Sequence, residues 1–366
     1  MSVDIGIIGL PKSGRTTVFS TLTGGKGTGG YAGEDSASYI GMAQVPEPRL
    51  TVLADMFHPK KITPFSVTYI DIGASVKDLA KDKGIGGQLL AQLSKVDALI
   101  NVVRAFSDES VPHIEGSLDI RRDIANMNLE LIFSDLAILE KRQERIKLSL
   151  KGAKPAERPG LLREQEIITR VKTELEKDVP VRELTLTAEE AKALSGYQML
   201  SAKPLLILVN IGEDQLSQAE SLTGELTSFS SQKCRVAAIC GKLEMELAQL
   251  DDRAAEELRL EYGLKERGRD CVIRLSYALL GLISFLTVGS DEVKAWSIQS
   301  GTEAVKAAGK VHSDIERGFI RAEVISYDDL VKCGSMAEAR KRGLLRLDGK
   351  NYIVQDGDII NFLFNV

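Results

Sequence analysis

The chain has 366 residues, of which 47 are Lys or Arg and 52 are Asp or Glu, so its formal net charge is −5. This length predicts two or three domains, and a hydrophobic fraction of 43% suffices for globular cores. The acidic balance excludes a generally basic nucleic-acid-binding protein, so any contact with RNA must come from a local patch. No apolar run reaches the roughly 20 residues that span a bilayer. No signal peptide is recognised, and we expect a cytoplasmic protein without a membrane partner.

Five short apolar runs, separated by helical stretches, indicate an α/β fold. They occupy residues 3–8, 67–70, 98–103, 205–209 and 236–239. A strand in a parallel sheet is buried on both faces, and it therefore reads as a continuous apolar run. Strands that alternate with helices in this way predict a parallel-type central sheet with helices on both faces.

Residues 129–199 have the pattern of an inserted helical hairpin. Apolar residues recur at steps of three and four from Ile132 to Leu150, and the spacing resumes at Ile168 after a Pro- and Gly-containing break at 152–160. This predicts two antiparallel arms of coiled-coil type. Near the predicted tip, positive charge is concentrated at Lys141, Arg142, Arg145, Lys147, Lys151 and Lys154. Such a patch can bind RNA, or it can simply keep an exposed helix solvated.

The last part of the chain has the pattern of a small α+β module. From residue 286, short strands, one helix near 335–342 and two Asp-Gly turns follow one another. We therefore expect an α/β domain formed by residues 1–128 and 200–285, a helical insertion at 129–199, and a C-terminal module at 286–366.

A phosphate-loop pattern follows the first predicted strand. The pattern is Gly, four residues, Gly-Lys, then Ser or Thr, and this chain matches it except that Arg15 replaces lysine. Backbone N–H groups of the loop and of the next helix still form an anion cradle, and the Thr16 hydroxyl can ligate Mg²⁺. Arg15 keeps the charge, although its planar fork is wider than an ammonium group. The residues predicted to bind nucleotide here are Gly9, Leu10, Pro11, Lys12, Ser13, Gly14, Arg15, Thr16 and Thr17.

Two further strand ends carry residues that suit a nucleotide site. Asp71 follows the run at 67–70, where an Mg²⁺-binding acid belongs. Asn210, Ile211 and Glu213 follow the run at 205–209, where GTPases place Asn-Lys-x-Asp and use the Asp to accept two hydrogen bonds from guanine. With Ile211 and Glu213 in these positions, selection of guanine is compromised.

Together these motifs resemble the YchF subfamily of the Obg-like P-loop GTPase relatives. The resemblance spans almost the whole chain and includes the stretches at 45–50 (VPEPRL), 104–106 (RAF), 119–124 (DIRRDI), 307–312 (AAGKVH) and 316–323 (ERGFIRAE). It implies a P-loop NTPase G domain with a helical hairpin insertion and a C-terminal TGS domain of β-grasp fold. It also implies a preference for ATP over GTP, and association with the ribosome and RNA.

The resemblance assigns roles to four more residues. His113 matches the family's histidine that is suspected of positioning the attacking water, and the alternative is a structural or solvent-exposed histidine. Phe106 could stack on adenine, although apolar burial explains it nearly as well. Cys240 and Gly241 stand where the family has Ser-Ala near the base.

This chain departs from the family in every nucleotide motif. Besides Arg15, the second switch contains Gly73-Ala74 where the family has Ala-Gly, and the position of the family's first-switch Thr falls near Asp35 or Ser36. Two functions are consistent with this pattern. One is a slow Mg²⁺-dependent ATPase, with Arg15 and His113 as catalytic residues, that cycles on the ribosome. The other is a weak or inactive nucleotide-binding adaptor that acts through its TGS and helical domains. A monomer is favoured, although the sequence does not determine the oligomeric state.

Overall fold

The computed structural model describes residues 3–25, 27–30, 38–72 and 90–365. The chain forms two compact units: the first contains Met1–Ala43 and Thr68–Val272, and the second contains Gln44–Val67 and Ile273–Val366. Among the described residues, no helix combines the length and apolarity needed to cross a bilayer.

The described part of the chain alternates strands and helices. The strands are β1 (Val3–Ile8), β2 (Thr28–Gly30), β3 (Ser38–Gln44), β4 (Lys61–Thr63), β5 (Ser66–Ile72), β6 (Ala98–Arg104), β7 (Leu205–Asn210), β8 (Cys234–Ile239), β9 (Leu282–Val288), β10 (Glu292–Gln299), β11 (Phe319–Ser326), β12 (Arg346–Asp348) and β13 (Asp358–Phe364). The helices are α1 (Arg15–Thr23), α2 (Pro48–Phe57), α3 (Ile120–Gly152), α4 (Arg158–Leu175), α5 (Ala188–Leu194), α6 (Ala219–Glu225), α7 (Gly241–Leu247), α8 (Asp252–Glu261), α9 (Gly268–Leu279), α10 (Ala304–Val311), α11 (Ser313–Arg317), α12 (Tyr327–Cys333) and α13 (Met336–Lys341).

A seven-stranded sheet in the order β2-β3-β5-β1-β6-β7-β8 forms the centre of the first unit. β1, β6, β7 and β8 pair in parallel, whereas β2 and β3 are antiparallel. Every residue of β6 and β7 is buried, as the continuous apolar runs predict. The predicted α/β class with a parallel-type central sheet is confirmed. Because parallel strands end at the same edge, the loops after β1, β6, β7 and β8 are brought together.

Helices α3 and α4 form the predicted antiparallel hairpin. Their apolar stripes pack against each other through buried residues that include Ile132, Leu139, Ile146, Ile168 and Val171. A short break at 153–157 joins the two arms, and α4 has Pro at the start of its first turn, where the missing N–H costs nothing.

The base of the hairpin is fixed by a buried carboxylate on α3. Asp135 accepts hydrogen bonds from the backbone N–H groups of Leu200 (2.7 Å) and Ser201 (2.8 Å). Burial raises the pKa of Asp135 to about 6. The Ser201 carbonyl in turn accepts from the backbone N–H of Arg182 at 2.9 Å. The segment that returns from the hairpin to β7 is therefore held against α3.

The second unit is built on a six-stranded sheet in the order β12-β11-β13-β9-β10-β4. β9 pairs with β10 in an antiparallel arrangement and with β13 in a parallel one. Helix α10 packs on this sheet through its buried alanines Ala304, Ala307 and Ala308, which share a core cluster with Phe285. The predicted C-terminal β-grasp fold is confirmed.

Residues 44–67 lie with this second sheet, although the sequence pattern groups them with the nucleotide-binding domain. β4 pairs in parallel with β10, and α2 contributes Leu50 and Leu53 to the core. Arg49 makes ion pairs with Glu47 (2.6 Å) and Asp356 (2.9 Å), which connects the VPEPRL stretch to the second Asp-Gly turn. The domain boundaries at 128, 199 and 285 remain a proposal. The second unit differs from the predicted C-terminal module because it also contains residues 44–67.

The carboxylate of Asp135 provides a test of how the hairpin is anchored. Asp135→Ala should lower the free energy of unfolding by about 2–5 kcal/mol, because two buried N–H groups lose their acceptor. Urea denaturation followed by circular dichroism measures this change. Glu144→Ala, at an exposed position on the same helix, is the matched control and should change stability by less than about 0.5 kcal/mol. Equal losses in the two variants would contradict the anchoring role.

Candidate nucleotide-binding site

The predicted phosphate loop connects β1 directly to α1. Within it, Lys12 (φ 66°) and Gly14 (φ 85°) both have left-handed backbone conformations. The Ser13 N–H donates to the Leu10 carbonyl at 3.2 Å, which closes a turn. Gly14 precedes the first residue of α1 and has no side chain that could cap the helix. The first N–H groups of α1 are thus available to an anion.

Asn210 joins the phosphate loop to the loop after β8. Its Nδ2 donates to the Ser13 carbonyl at 3.0 Å, and its Oδ1 accepts from the Gly241 N–H at 3.0 Å. The side chain is buried and passes so close to Gly14 that a Cβ atom there would lie 2.1 Å from Nδ2. Three stretches that are far apart in the sequence therefore meet at one amide group.

Arg15, Thr16 and Asp71 form a compact charged cluster. Arg15 Nε lies 2.6 Å from Asp71 Oδ1, and the Thr16 hydroxyl donates to Asp71 Oδ2 at 2.9 Å. The Asp71 side chain is only 1% exposed and that of Arg15 is 15% exposed. One carboxylate oxygen of Asp71 thus accepts a hydrogen bond, whereas the other is in an ion pair with Arg15 that does not have the geometry of a hydrogen bond.

The oxygen donors of this cluster fit Mg²⁺. A hydroxyl and a carboxylate are ligands that Mg²⁺ prefers, and they lie side by side here. Among the described residues no group of three His, Cys, Asp or Glu side chains could hold a metal. A bound Mg²⁺ would thus take its other ligands from phosphate and water, and Arg15 would compete with it for Asp71.

The predicted base-binding residues lie at the ends of β7 and β8. Ile211 is buried, and Glu213 is held from two sides. Its Oε1 lies 3.2 Å from Lys242 Nζ, and its Oε2 accepts from the Tyr262 hydroxyl at 3.4 Å. Through its charge, Glu213 raises the pKa of Tyr262. Glu213 is thus already engaged, whereas a guanine-reading carboxylate must offer both oxygens to the base.

Cys240 and Phe106 flank the Asn210 junction. Cys240 precedes α7, and its burial raises the pKa of the thiol. Backbone N–H groups of Ala105 and Phe106 donate to the Asn210 carbonyl. The Phe106 ring lies beside the phosphate loop, with the Arg104 guanidinium 4.4 Å from its centroid. In this position Phe106 packs against Arg104, and its stacking on a base stays a prediction.

His113 is held by two hydrogen bonds. Its Nδ1 accepts from the Glu115 N–H at 3.1 Å, so Nε2 carries the proton and donates to Asp123 Oδ2 at 2.8 Å. Arg122 also contacts Asp123, at 2.9 Å. The His113 side chain is 6% exposed. In this arrangement neither ring nitrogen can take a proton from water, and a catalytic role for His113 stays a prediction.

A small cavity lies between His113 and the phosphate loop and is lined by both. Its lining includes Ser13, Asn101, Arg104 and Asp123. Ser13 Oγ, Asn101 Nδ2 and Arg104 Nη1 are buried and have no hydrogen-bond partner among the described residues. Sequence reasoning missed Asn101 and Asp123 as neighbours of the loop. The DIRRDI stretch was the available signal for Asp123, while nothing in the buried β6 run singles out Asn101.

The switch positions in this chain cannot be placed beside these residues. Asp35, Ser36 and the stretch from Gly73 to Val76 lie outside the described residues. The roles that the resemblance gives to these switch positions therefore stay predictions.

Comparison with known proteins identifies the family. Over 100% of both sequences, the chain is 38% identical to "Ribosome-binding ATPase YchF" of Bacillus subtilis and 34% identical to the protein of the same name in Escherichia coli O157:H7. This chain belongs to the YchF family. A profile named YchF-GTPase_C, described as "Protein of unknown function (DUF933)", matches residues 282–365. The solved structure of the Schizosaccharomyces pombe YchF GTPase has a TM-score of 0.82 at 28% identity, covering 99% of this chain and 98% of that one.

The YchF fold is thus confirmed from sequence and from structure, and the resemblance stated from the motifs is correct. The nearly full coverage of both chains means that the YchF relatives contain both the phosphate-loop region and the C-terminal sheet.

Gly14 provides a test of the site geometry. Gly14→Ala should weaken ATP binding by about tenfold or more, because its methyl group strains a left-handed residue and displaces Asn210. Gly25→Ala is the matched control, since Gly25 (φ 69°) has a similar conformation but no atom within 4 Å of an added Cβ. Titration with a fluorescent ATP analogue measures both affinities. Unchanged binding by Gly14→Ala would rule out a nucleotide at this loop.

Proposed function

We propose that this protein binds a purine nucleotide at the 9–16 loop, prefers ATP to GTP, hydrolyses ATP slowly with Mg²⁺, and associates with the ribosome. The observation that carries the proposal is the Asn210 side chain, which ties the phosphate loop to the loop at 240–241. The name "Ribosome-binding ATPase YchF", given to the relatives, supports the same activity and partner.

The triphosphate would bind where the helix α1 begins. The loop N–H groups and Arg15 would neutralise the phosphate charge, while Thr16 and Asp71 would hold Mg²⁺. A metal ion held there would neutralise part of the negative charge of the triphosphate. In hydrolysis, water attacks the γ phosphorus, the bond to the β–γ bridging oxygen breaks, and ADP and phosphate leave. His113 could position that water only after releasing Asp123.

The preference for ATP follows from the state of Glu213. Guanine offers two N–H donors to a carboxylate that must be free to accept both, and Lys242 and Tyr262 occupy Glu213 here. Adenine instead presents one exocyclic amino group, which can donate a hydrogen bond to a backbone carbonyl near Ile211. Both side-chain atoms of Asn210 already have partners, so we assign Asn210 to shaping the site.

The hairpin tip is the proposed RNA contact of this chain. Arg142 is unavailable because Glu164 binds it in a bidentate pair, at 2.8 Å for both contacts. Four other basic side chains are exposed and make no ion pair with the described residues: Arg145, Lys147, Lys151 and Lys154. Exposed cations of this kind can replace counterions on RNA phosphates.

A nucleotide-binding adaptor is the second candidate function, and two contacts favour it. Arg15 is bound to Asp71, and His113 is bound to Asp123, so both predicted catalytic side chains are engaged with acids of the protein. An adaptor would bind ATP and the ribosome without turnover. Its activity would then lie in the second unit and the hairpin.

Nucleotide preference and turnover test the first function. ATP should displace a fluorescent nucleotide at lower concentration than GTP, and Glu213→Asp should shift the ratio towards GTP, because the shorter side chain reaches Lys242 less well. Glu220→Asp, at a surface position on α6, is the control and should leave the ratio unchanged. Single-turnover mixing with Mg²⁺ should convert bound ATP to ADP. A preference for GTP in the parent contradicts the base assignment, and tight ATP binding without ADP formation indicates the adaptor.

Ribosome binding tests the hairpin tip. The triple variant Lys147→Glu, Lys151→Glu, Lys154→Glu should co-sediment less with ribosomes and should show a smaller dependence on salt, because fewer counterions are released. ATP affinity should not change. The triple variant Lys95→Glu, Lys233→Glu, Lys265→Glu makes the same charge change at exposed sites outside the hairpin. Equal behaviour of the two variants would mean that the tip lysines only solvate the helix.

A further inference from the structure

The Arg15–Asp71 pair places a protein cation at the carboxylate predicted to serve Mg²⁺. Asp71 is almost fully buried, and a buried carboxylate is stable only with a compensating cation or strong donors. Arg15 Nε provides the cation at 2.6 Å, and the Thr16 hydroxyl provides the donor at 2.9 Å. The charge of Asp71 is therefore satisfied without a metal ion.

The shape of arginine makes this arrangement possible. A lysine has one compact ammonium group, which in the phosphate-loop pattern reaches the β and γ phosphates and leaves the acid to the metal. The guanidinium of Arg15 is planar and carries five N–H donors, so one edge can contact an acid while the other faces an anion. Apart from the Nε contact with Asp71, Arg15 makes no hydrogen bond or ion pair with the described residues.

We propose that Arg15 stands in for the divalent cation at Asp71 until Mg²⁺ displaces it, so that this site binds ATP with little dependence on Mg²⁺ although hydrolysis requires the metal. Arg15 neutralises Asp71 through Nε and offers its terminal nitrogens to the triphosphate. The proposal rests on the proposed function, because it assumes that ATP binds at this loop. It extends that function by making the metal-free nucleotide a ligand of the site.

The test compares ATP affinity with and without divalent cations. Affinity for ATP is measured by calorimetry in MgCl₂ and in EDTA at equal ionic strength, for the parent and for Arg15→Lys. We expect the parent to change by less than about threefold, and Arg15→Lys to lose about tenfold or more in EDTA. Lysine can leave Asp71 for the phosphates, and Asp71 then needs the metal.

Asp71→Asn is the second variant. It removes the negative charge but keeps an oxygen for the Thr16 hydroxyl, so Arg15 is released towards the phosphates. We expect it to bind ATP in EDTA at least as tightly as the parent. Thermal unfolding of each variant checks that the fold is kept, and Arg15→Lys, which keeps the charge, is the informative variant if Asp71→Asn is unstable.

The outcomes separate this inference from the proposed function. If the parent loses ATP affinity in EDTA as strongly as Arg15→Lys does, the inference is wrong and nucleotide binding stands. If Arg15→Lys is as insensitive to EDTA as the parent, Arg15 is not the cause and the inference is also wrong. If neither protein binds ATP in either buffer, the proposed function fails and the inference fails with it.

Discussion

The nucleotide site depends on one constraint, the two hydrogen bonds of the buried Asn210 side chain. A parallel sheet brings strand ends to one edge, but it does not fix the loops that follow them. Asn210 does so by donating to Ser13 and accepting from Gly241, and this contact requires a residue without a Cβ at position 14. The phosphate loop, the loop after β8 and the end of β7 are thus held in one arrangement without a ligand.

Three acids near this edge are satisfied by cations or donors of the protein itself. Asp71 is paired with Arg15, Glu213 with Lys242, and Asp123 with Arg122 and His113. The sequence predicts that Asp71 binds a metal ion and that Glu213 lies near the base, and Asp123 holds His113, which is predicted to position the water. A ligand that binds at any of these acids must therefore compete with a protein group. Of the residues in these pairs, Arg15 departs from the YchF motifs, and its guanidinium is the group with which a metal ion at Asp71 would compete.

The sequence predicted the parts of this protein that depend on local patterns. The runs at 98–103 and 205–209 correspond to β6 and β7, because a strand buried on both faces is apolar throughout. The three- and four-residue steps correspond to α3 and α4, because a helix buried along one stripe has apolar residues at that spacing. Pairing between distant segments leaves no such pattern in the sequence. β4 has three residues and joins β10 across more than 200 positions, and the short acid–base contacts of Arg15 and His113 depend on side-chain rotamers.

The hairpin and the nucleotide site are connected through one strand, β7, which follows the hairpin in the sequence and ends at Asn210. Asp135 holds residues 200 and 201, from which the chain enters β7, and β7 ends at Asn210. Because burial raises the pKa of Asp135 to about 6, its carboxylate costs stability at neutral pH, and the cost disappears as the pH falls through 6 towards 4. The two N–H donors offset that cost only while residues 200 and 201 stay against α3. The strand that ends at Asn210 is thus anchored at its start by Asp135, so the position of Asn210 beside the phosphate loop and the base of the hairpin depend on the same strand.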